Sequence, residues 1–163
     1  MATNTPSEHD KVATLCDRAR RYCSISEQCE DAVRQKLVAW GATSLESDTV
    51  VERLSEEGYL DNERYARAYC ESKILTQHWG RQKVIYQLRL KRLPRQTIET
   101  ALAAVGEEQY SEALQQAAQK KWSELGDKVS DTFQRKQKLT AFLAAKGFTL
   151  SEINQVIINN LNL

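Results

Sequence analysis

Apolar residues recur at helical spacing in three segments of the chain, and each segment ends in a similar way. In AVRQKLVAWG, Val33 and Leu37 lie one turn apart, and Gly41 closes the run as a helix cap with left-handed backbone would. VIYQLRLKRLP repeats this layout from Val84, and LTAFLAAKGF repeats it from Leu139. The spacing predicts three amphipathic helices at equivalent positions, 51 and 55 residues apart.

Each of these helices has predicted helical neighbours on both sides. The runs that follow are SDTVVERLSEEG, PRQTIETALAAVG and TLSEINQVIINNL, and those that precede are EHDKVATLCDRARRYC, DNERYARAYCESKIL and EEQYSEALQQAAQKKWSEL. Three tandem copies of a three-helix unit explain the pattern, since such units bury their apolar faces by stacking on neighbours. We therefore predict an all-α protein whose repeats form an elongated, curved array, right- or left-handed.

The composition agrees with a helical protein and the alignment of the repeats gives its boundaries. Helix-forming residues dominate the 163 positions, whereas there are only 6 Gly and 2 Pro. We expect a flexible tail over residues 1–10 and three-helix repeats over residues 11–58, 59–106 and 107–163. The second of these repeats carries most of the positive charge.

The stretch GYLDNERYARAYCESK, residues 58–73, has the signals with which one helix ends and another begins. Gly58 suits the left-handed position after a helix, and Asp61 suits the N-cap of the next helix. Leu60 and Tyr65 have the spacing of a hydrophobic staple across that cap. We assign these four residues to the joint between the first and second repeats.

The helix that starts at this joint has an apolar side and a basic side. We expect Tyr65, Ala68 and Tyr69 to form its apolar face, at spacings of one helical turn. Arg64 and Arg67 then point to solvent and are not explained by the joint. They are therefore candidates for binding a partner.

Trp79 and Gly80 mark the start of the next helix, at HWGRQKVIYQLRLKR. We expect Trp79 to pack on that helix as part of the core. Arg81 and Arg92 are eleven residues apart, which is three helical turns, so we expect them on nearly the same side of one helix.

The cysteines, histidines and carboxylates give no sign of catalytic or metal chemistry. The spacing of Cys16, Cys23, Cys29 and Cys70 matches no metal or redox motif, so we expect reduced thiols in a cytoplasmic protein. No phosphate-binding loop, dinucleotide fingerprint, zinc-protease motif or nucleophile elbow occurs. We therefore expect no enzyme activity, no cofactor and no metal.

Nothing in the sequence indicates a membrane partner either. No apolar run approaches the ~18 residues that a membrane span requires. The start, MATNTPSEHDK, lacks the basic and apolar regions of a secretory signal, so we expect none to be present.

Positive charge is concentrated in one part of a nearly neutral chain. The net charge is +1, yet the segment from Arg64 to Arg95 has nine basic residues and one acid, Glu71, and so carries about +8. Such a face binds phosphates or acidic protein surfaces. The candidate binding residues are Arg64, Arg67, Lys73, Arg81, Lys83, Arg89, Lys91, Arg92 and Arg95.

Three quoted segments also resemble one family. GYLDNERYARAY, HWGRQKVIYQLRLKRLPRQTIETAL and RKQKLTAFLAAKGFTLSEINQVI, in this order, are similar to RecX, the bacterial regulator of the RecA recombinase. The likeness runs from CEDAVRQKLVAWG to the C-terminus. One departure is Arg92-Leu93-Pro94, where the family usually has a glycine and a branched apolar residue.

The resemblance implies three tandem three-helix repeats in a cytoplasmic protein without catalysis. It also implies binding to the RecA–DNA filament, with inhibition of ATP hydrolysis, strand exchange and co-protease activity, and hence effects on DNA repair, recombination and the SOS response. DNA contacts, to single or double strands, would be made to the backbone. We expect a monomer.

Two other interpretations remain open from the sequence. A freestanding, sequence-nonspecific DNA-binding module would explain the basic segment without a protein partner. A structural helical adaptor would need none of the basic residues for binding. The strength of the salt dependence separates the DNA-binding module from the filament regulator. The adaptor predicts that reversing Arg81, Arg89 and Arg92 to Glu changes nothing.

Overall fold

The computed structural model of the protein describes residues 8–160, and this part of the chain contains nine α-helices and no strand. The all-α prediction is therefore confirmed. The helices, in chain order, are α1 Glu8–Ile25, α2 Glu30–Ala39, α3 Ser44–Glu56, α4 Asn62–Glu71, α5 Arg81–Leu90, α6 Arg95–Ala103, α7 Glu107–Gly126, α8 Thr132–Ala145 and α9 Leu150–Asn160, and a π-helical turn, Ser72–Thr76, continues α4.

The predicted tail falls mostly outside this part of the chain. Residues 1–7 of the tail lie outside the described residues, whereas residues 8–10 already belong to α1. Among the helices that are described, none has the length and apolar content needed to cross a bilayer.

The chain divides into two compact units, and each has its own core. The first unit runs to Tyr65 and includes residues 91–93, and the second contains residues 66–90 and the chain from Pro94 onward. Helices α1 to α3 enclose the core of the first unit, where Val33, Leu37 and Leu54 are fully buried. In the second unit the fully buried side chains include Ile74, Val84, Leu88, Leu139, Leu143 and Ile153. The division crosses the second predicted repeat, whose boundaries stay a prediction.

The caps that begin and end the helices follow the sequence signals. Gly41 and Gly58 have left-handed backbone, with φ of +83° and +78°. The Oδ1 atom of Asp61 accepts hydrogen bonds from the amides of Glu63 and Arg64, each at 3.0 Å. These bonds satisfy two of the amides that a helix start leaves without partners. The predicted helix stop at Gly58 and the N-cap at Asp61 are therefore confirmed.

The predicted apolar face of α4 is wrong by one residue. Ala66 and Cys70 are fully buried, whereas Ala68 is exposed and Tyr65 and Tyr69 are half-buried. Both sets have the spacing of one helical turn, so periodicity alone does not choose between them. The smaller side chains approach the core, and the tyrosines lie at its margin.

In the turn after α5, Arg92 stands where the equivalent turns have a glycine. Helix α5 ends at Leu90, and Arg92 has φ of +58°, so it occupies the left-handed position that Gly41 and Gly147 occupy in the equivalent turns. Arg92 therefore does not share a helical face with Arg81, and that prediction is wrong. Its side chain is 84% exposed and its Nε atom lies 3.5 Å from Asp31.

Replacing Arg92 by glycine should stabilise the protein. A left-handed conformation costs a residue with a Cβ atom roughly 1–2 kcal/mol, while the exposed contact with Asp31 contributes little. We expect Arg92→Gly to raise the free energy of unfolding by about 1 kcal/mol in urea denaturation, after the greater chain entropy of glycine is deducted. Arg92→Lys, which keeps the strain and the charge, should leave stability unchanged. A loss of stability in Arg92→Gly would contradict the strain argument.

Helix α5 begins directly against the C-terminal end of α8. The amide of Gly80 donates to the carbonyl of Lys146 at 2.8 Å, and the amide of Gln82 donates to the carbonyl of Gly147 at 3.2 Å. A Cβ atom on Gly80 would lie 2.1 Å from the carbonyl carbon of Gly147, so only glycine fits there. The unpaired amides of one helix start thus meet the unpaired carbonyls of another helix end.

A methyl group at Gly80 should disrupt this joint. Because the clash is with backbone atoms, we expect Gly80→Ala to lower the free energy of unfolding by about 2 kcal/mol or more. The matched control is Gly106→Ala, since a Cβ atom at Gly106 meets only Gln109 Oε1, at 3.5 Å. Thermal denaturation followed by circular dichroism measures both variants. Equal melting temperatures for the two would refute the close-contact argument.

Candidate nucleic-acid interface

The nine basic candidates divide between the two units of the fold. Arg64, Lys91 and Arg92 belong to the first unit. The second unit contains the remaining six, which are Arg67, Lys73, Arg81, Lys83, Arg89 and Arg95.

In the first unit, Arg64 belongs to the joint between the first two predicted repeats, although the sequence did not indicate a role for it there. Its Nε atom donates to Glu27 at 2.6 Å, and an NH₂ group donates to the carbonyl of Gly58 at 3.1 Å. The hydrogen bond with Glu27 is the main cause of the raised pKa of this guanidinium. Lys91 has a neutral neighbour instead, the ring of Tyr65, at 6.0 Å from its centroid.

In the second unit, Arg81 is held by a polar network on α7. One NH₂ group donates to Glu107 at 2.7 Å, and the guanidinium carbon lies 3.9 Å from the ring centroid of Tyr110. The backbone amide of Arg81 also donates to the hydroxyl of Tyr110 at 3.3 Å. Arg81 is therefore anchored within the protein, and this role explains its position at the start of α5.

The hydroxyl of Tyr110 is the buried centre of that network. The residue is 4% exposed, and its burial is the main cause that raises the pKa well above the ordinary value near 10. A raised phenol pKa means that the folded protein holds its proton where the unfolded chain has lost it. The stabilising contribution is complete below pH 10 and is lost as the pH rises above it.

Tyr110→Phe tests this linkage. We expect a loss of about 1 kcal/mol at pH 7, because the amide of Arg81 loses its acceptor. Above pH 10 the free energy of unfolding should fall less steeply in Tyr110→Phe than in the unchanged protein. Tyr86→Phe is the control, since Tyr86 is 60% exposed and should behave like the unchanged protein at every pH. Parallel pH curves for all three proteins would contradict the assignment.

Trp79 is a half-buried ring against which two lysines lie, and one of them, Lys83, belongs to the helix on which Trp79 is predicted to pack. The ammonium of Lys73 lies 4.8 Å from the ring centroid of Trp79, and that of Lys83 lies 4.2 Å from it. The amide of Trp79 donates to the carbonyl of Lys73 at 2.9 Å. Cations at these distances are attracted by the negative face of an indole.

A third lysine, Lys146 in the turn after α8, reaches the backbone two residues before Trp79, and Lys120 on α7 acts through its charge. The ammonium of Lys146 donates to the carbonyl of Gln77 at 2.7 Å. Its pKa is lowered, first by burial and then by the charges of Lys83 and Lys120. Burial also lowers the pKa of His78, and Lys146 and Lys120 lower it further. We call this group, Lys73, His78, Trp79, Lys83, Lys120 and Lys146, the lysine cluster.

Lys120 and Lys146 lie outside the basic segment, so neither is among the binding residues predicted from the sequence. The acids and bases of the third repeat nearly balance by count, so charge along the chain gives no signal there. In the alignment of the repeats, Lys91 and Lys146 occupy equivalent positions, and each directly precedes the left-handed residue that follows its helix. The backbone contact of Gly80 with Lys146 and of Gln82 with Gly147 accompanies the bond of Lys146 to the carbonyl of Gln77.

The remaining candidates lie on the surface of the second unit. Arg67 and Arg89 are exposed, and within residues 10–159, whose side chains are described, neither forms an ion pair. Arg95 is 84% exposed and pairs with Glu99 on its own helix at 2.6 Å. Arg67 and Arg89 therefore keep their full charge at the surface.

The cysteines do not form a reactive site. Cys16, Cys29 and Cys70 are buried, and Cys23 is half-buried. Burial raises the pKa of Cys70 to about 11 and also raises the pKa of Cys23, so both are protonated near neutral pH. In the part of the chain that is described, no three side chains of His, Cys, Asp or Glu are grouped as metal ligands.

Comparison with known families matches the second and third parts of the chain. The sequence model for the second three-helix domain of RecX matches residues 61–102, and that for the third three-helix domain matches residues 107–157.

Curated relatives and solved structures agree with this match. The regulatory protein RecX of Clostridium botulinum (strain Alaska E43 / Type E3) is 31% identical over 153 residues, covering 94% of this chain and 71% of the relative. That of Escherichia coli O9:H4 (strain HS) is 25% identical over 164 residues, covering 94% of this chain and 96% of the relative. The crystal structure of RecX from Lactobacillus salivarius superposes with a TM-score of 0.83 at 18% identity, covering 95% of this chain and 99% of that one. A second RecX crystal structure gives a TM-score of 0.81 at 22% identity, with 93% and 73% covered. The prediction of a helical repeat array is confirmed.

Proposed function

The chain belongs to the RecX family, and from that premise we propose that it is a non-enzymatic regulator that binds the RecA–DNA filament. Binding inhibits ATP hydrolysis, strand exchange and co-protease activity, and so limits recombination, DNA repair and the SOS response. The relatives are named regulatory proteins, which supports a regulatory role. The resemblance supplies the filament as the partner.

The observation that carries the proposal is the set of cations without carboxylate partners in the second unit. Arg67 and Arg89 form no ion pair within residues 10–159, and Lys73 and Lys83 face an aromatic ring instead of an acid. A lysine or arginine side chain without a carboxylate partner keeps its positive charge and attracts phosphates and acidic surfaces. These residues are the ones that we propose to meet the filament.

The other candidates have supporting roles in this proposal. Arg64, Arg81, Arg92 and Arg95 each have an acidic neighbour and contribute less net charge to a partner. Lys91 remains available beside Tyr65. The regulator acts as a monomer in the cytoplasm, where the recombinase filament forms, and its DNA contacts are to the backbone of single or double strands.

Reversing two unpaired charges should weaken inhibition. We expect the protein at near-stoichiometric levels to inhibit the DNA-dependent ATPase of a RecA recombinase. Arg67→Glu/Arg89→Glu should raise the concentration for half-inhibition at least about tenfold, since two attractive charges become repulsive. The control is Arg21→Glu/Lys128→Glu, which makes the same charge change at exposed residues away from the basic segment. Arg81 and Arg92 are left intact because their side chains have internal partners.

Three results would count against the proposal. An ATPase unaffected by the unchanged protein rejects filament inhibition. Tight binding to naked DNA with no added affinity for the filament favours the freestanding DNA-binding module. Equal inhibition by both double variants rejects the role of Arg67 and Arg89.

A further inference from the structure

Two lysines of the second unit lie against one indole ring, and a third is bonded to the backbone two residues before that ring. Lys73 and Lys83 lie against Trp79, and Lys146 is bonded to the carbonyl of Gln77. The pKa of Lys146 is lowered by burial, by the charge of Lys83 and then by the charge of Lys120. Among residues 10–159, none of the four forms an ion pair. Like charges held together in this way create a strongly positive local potential.

Neutral groups hold these ammoniums in place. The indole face attracts Lys73 and Lys83 through its quadrupole, and a backbone carbonyl accepts one proton of Lys146. Neither partner removes a unit of charge. Each ammonium has three donor protons, so each keeps donors for an anion from outside.

We propose that the lysine cluster is a binding site for the phosphate groups of DNA and that Trp79 is its positioning residue. This inference rests on the proposed function, because it names the part of the chain that meets DNA within the filament. The site extends the basic segment to Lys120 and Lys146, which come from the third predicted repeat.

The chemistry of the cluster favours phosphates over the carboxylates of a protein surface. Guanidinium groups pair with carboxylates through two parallel hydrogen bonds, and the cluster contains no arginine. Ammonium groups act as point charges with freely rotating donors, which suits phosphates that present oxygens in several directions. Lysines beside an aromatic ring are also the usual composition of grooves that bind single-stranded nucleic acid.

The test measures DNA binding by the full chain without recombinase. The probe is a fluorescein-labelled oligothymidylate, and anisotropy titrations are repeated across potassium chloride concentrations. Lys83→Gln/Lys146→Gln should bind about tenfold more weakly at ~0.1 M salt, and the slope of log K against log salt should become less negative by about 1.4. The control is Lys128→Gln/Lys138→Gln, which removes two exposed lysines of the same unit and should keep the slope unchanged.

A second pair of variants separates positioning by Trp79 from a general role in folding. Trp79→Phe keeps an aromatic face for Lys73 and Lys83, whereas Trp79→Leu removes it. We expect affinity within about twofold of the unchanged protein for Trp79→Phe and a loss of about threefold or more for Trp79→Leu. Circular dichroism confirms that each variant is folded at the titration temperature. Where the double variant is unfolded, the single variant Lys83→Gln replaces it, with an expected change in slope of about 0.7.

The outcomes distinguish this site from the regulatory proposal. If the lysine variants have the same salt slope as the protein without substitutions, the inference is overturned. It is also overturned if the protein without substitutions does not bind the oligonucleotide. If the lysine variants lose ATPase inhibition but keep the slope, the cluster meets an acidic protein surface and the inference is overturned. If they lose DNA affinity while ATPase inhibition persists, the phosphate site is supported and the regulatory contact lies elsewhere.

Discussion

The backbone contact between Gly80 and Gly147 is the constraint on which the binding face of the second unit depends. Neither residue has a side chain, so the start of α5 reaches the carbonyls at the end of α8. Trp79 directly precedes Gly80 and Lys146 directly precedes Gly147. The same contact that satisfies two helix ends therefore brings the ammonium of Lys146 to the carbonyl of Gln77, two residues before Trp79, and the lysine cluster follows from it.

The backbone between α4 and α5 completes that arrangement. The π-helical turn Ser72–Thr76 widens the end of α4, and His78 has left-handed backbone with φ of +53°. These two irregularities turn the chain so that the amide of Trp79 bonds to the carbonyl of Lys73. π-helical turns and left-handed non-glycine residues cost free energy, and they are frequent at functional sites. Here both lie within or beside the residues that hold the cations.

Much of the fold could be predicted from the sequence because helix periods and caps are local. The spacing of Val33 and Leu37 and the signals at Gly58 and Asp61 involve only neighbouring residues, and the structure has the corresponding helices. The ion pairs of the site could not be predicted from the sequence in the same way. The acids that neutralise Arg64 and Arg81 are Glu27, 37 residues away, and Glu107, 26 residues away, and no local pattern indicates such pairs.

The type of each basic residue explains which charges remain available. The arginines Arg64, Arg81 and Arg95 take carboxylate partners, whose geometry matches a guanidinium fork. The lysines Lys73 and Lys83 take an aromatic face, which holds an ammonium without removing its charge. Arg67 and Arg89 have no carboxylate partner within residues 10–159, so a count of bases overestimates the available charge only at the paired arginines. Because the internal acids are used by arginines that stabilise the helix joints, the lysines remain free to meet an anion from outside the chain.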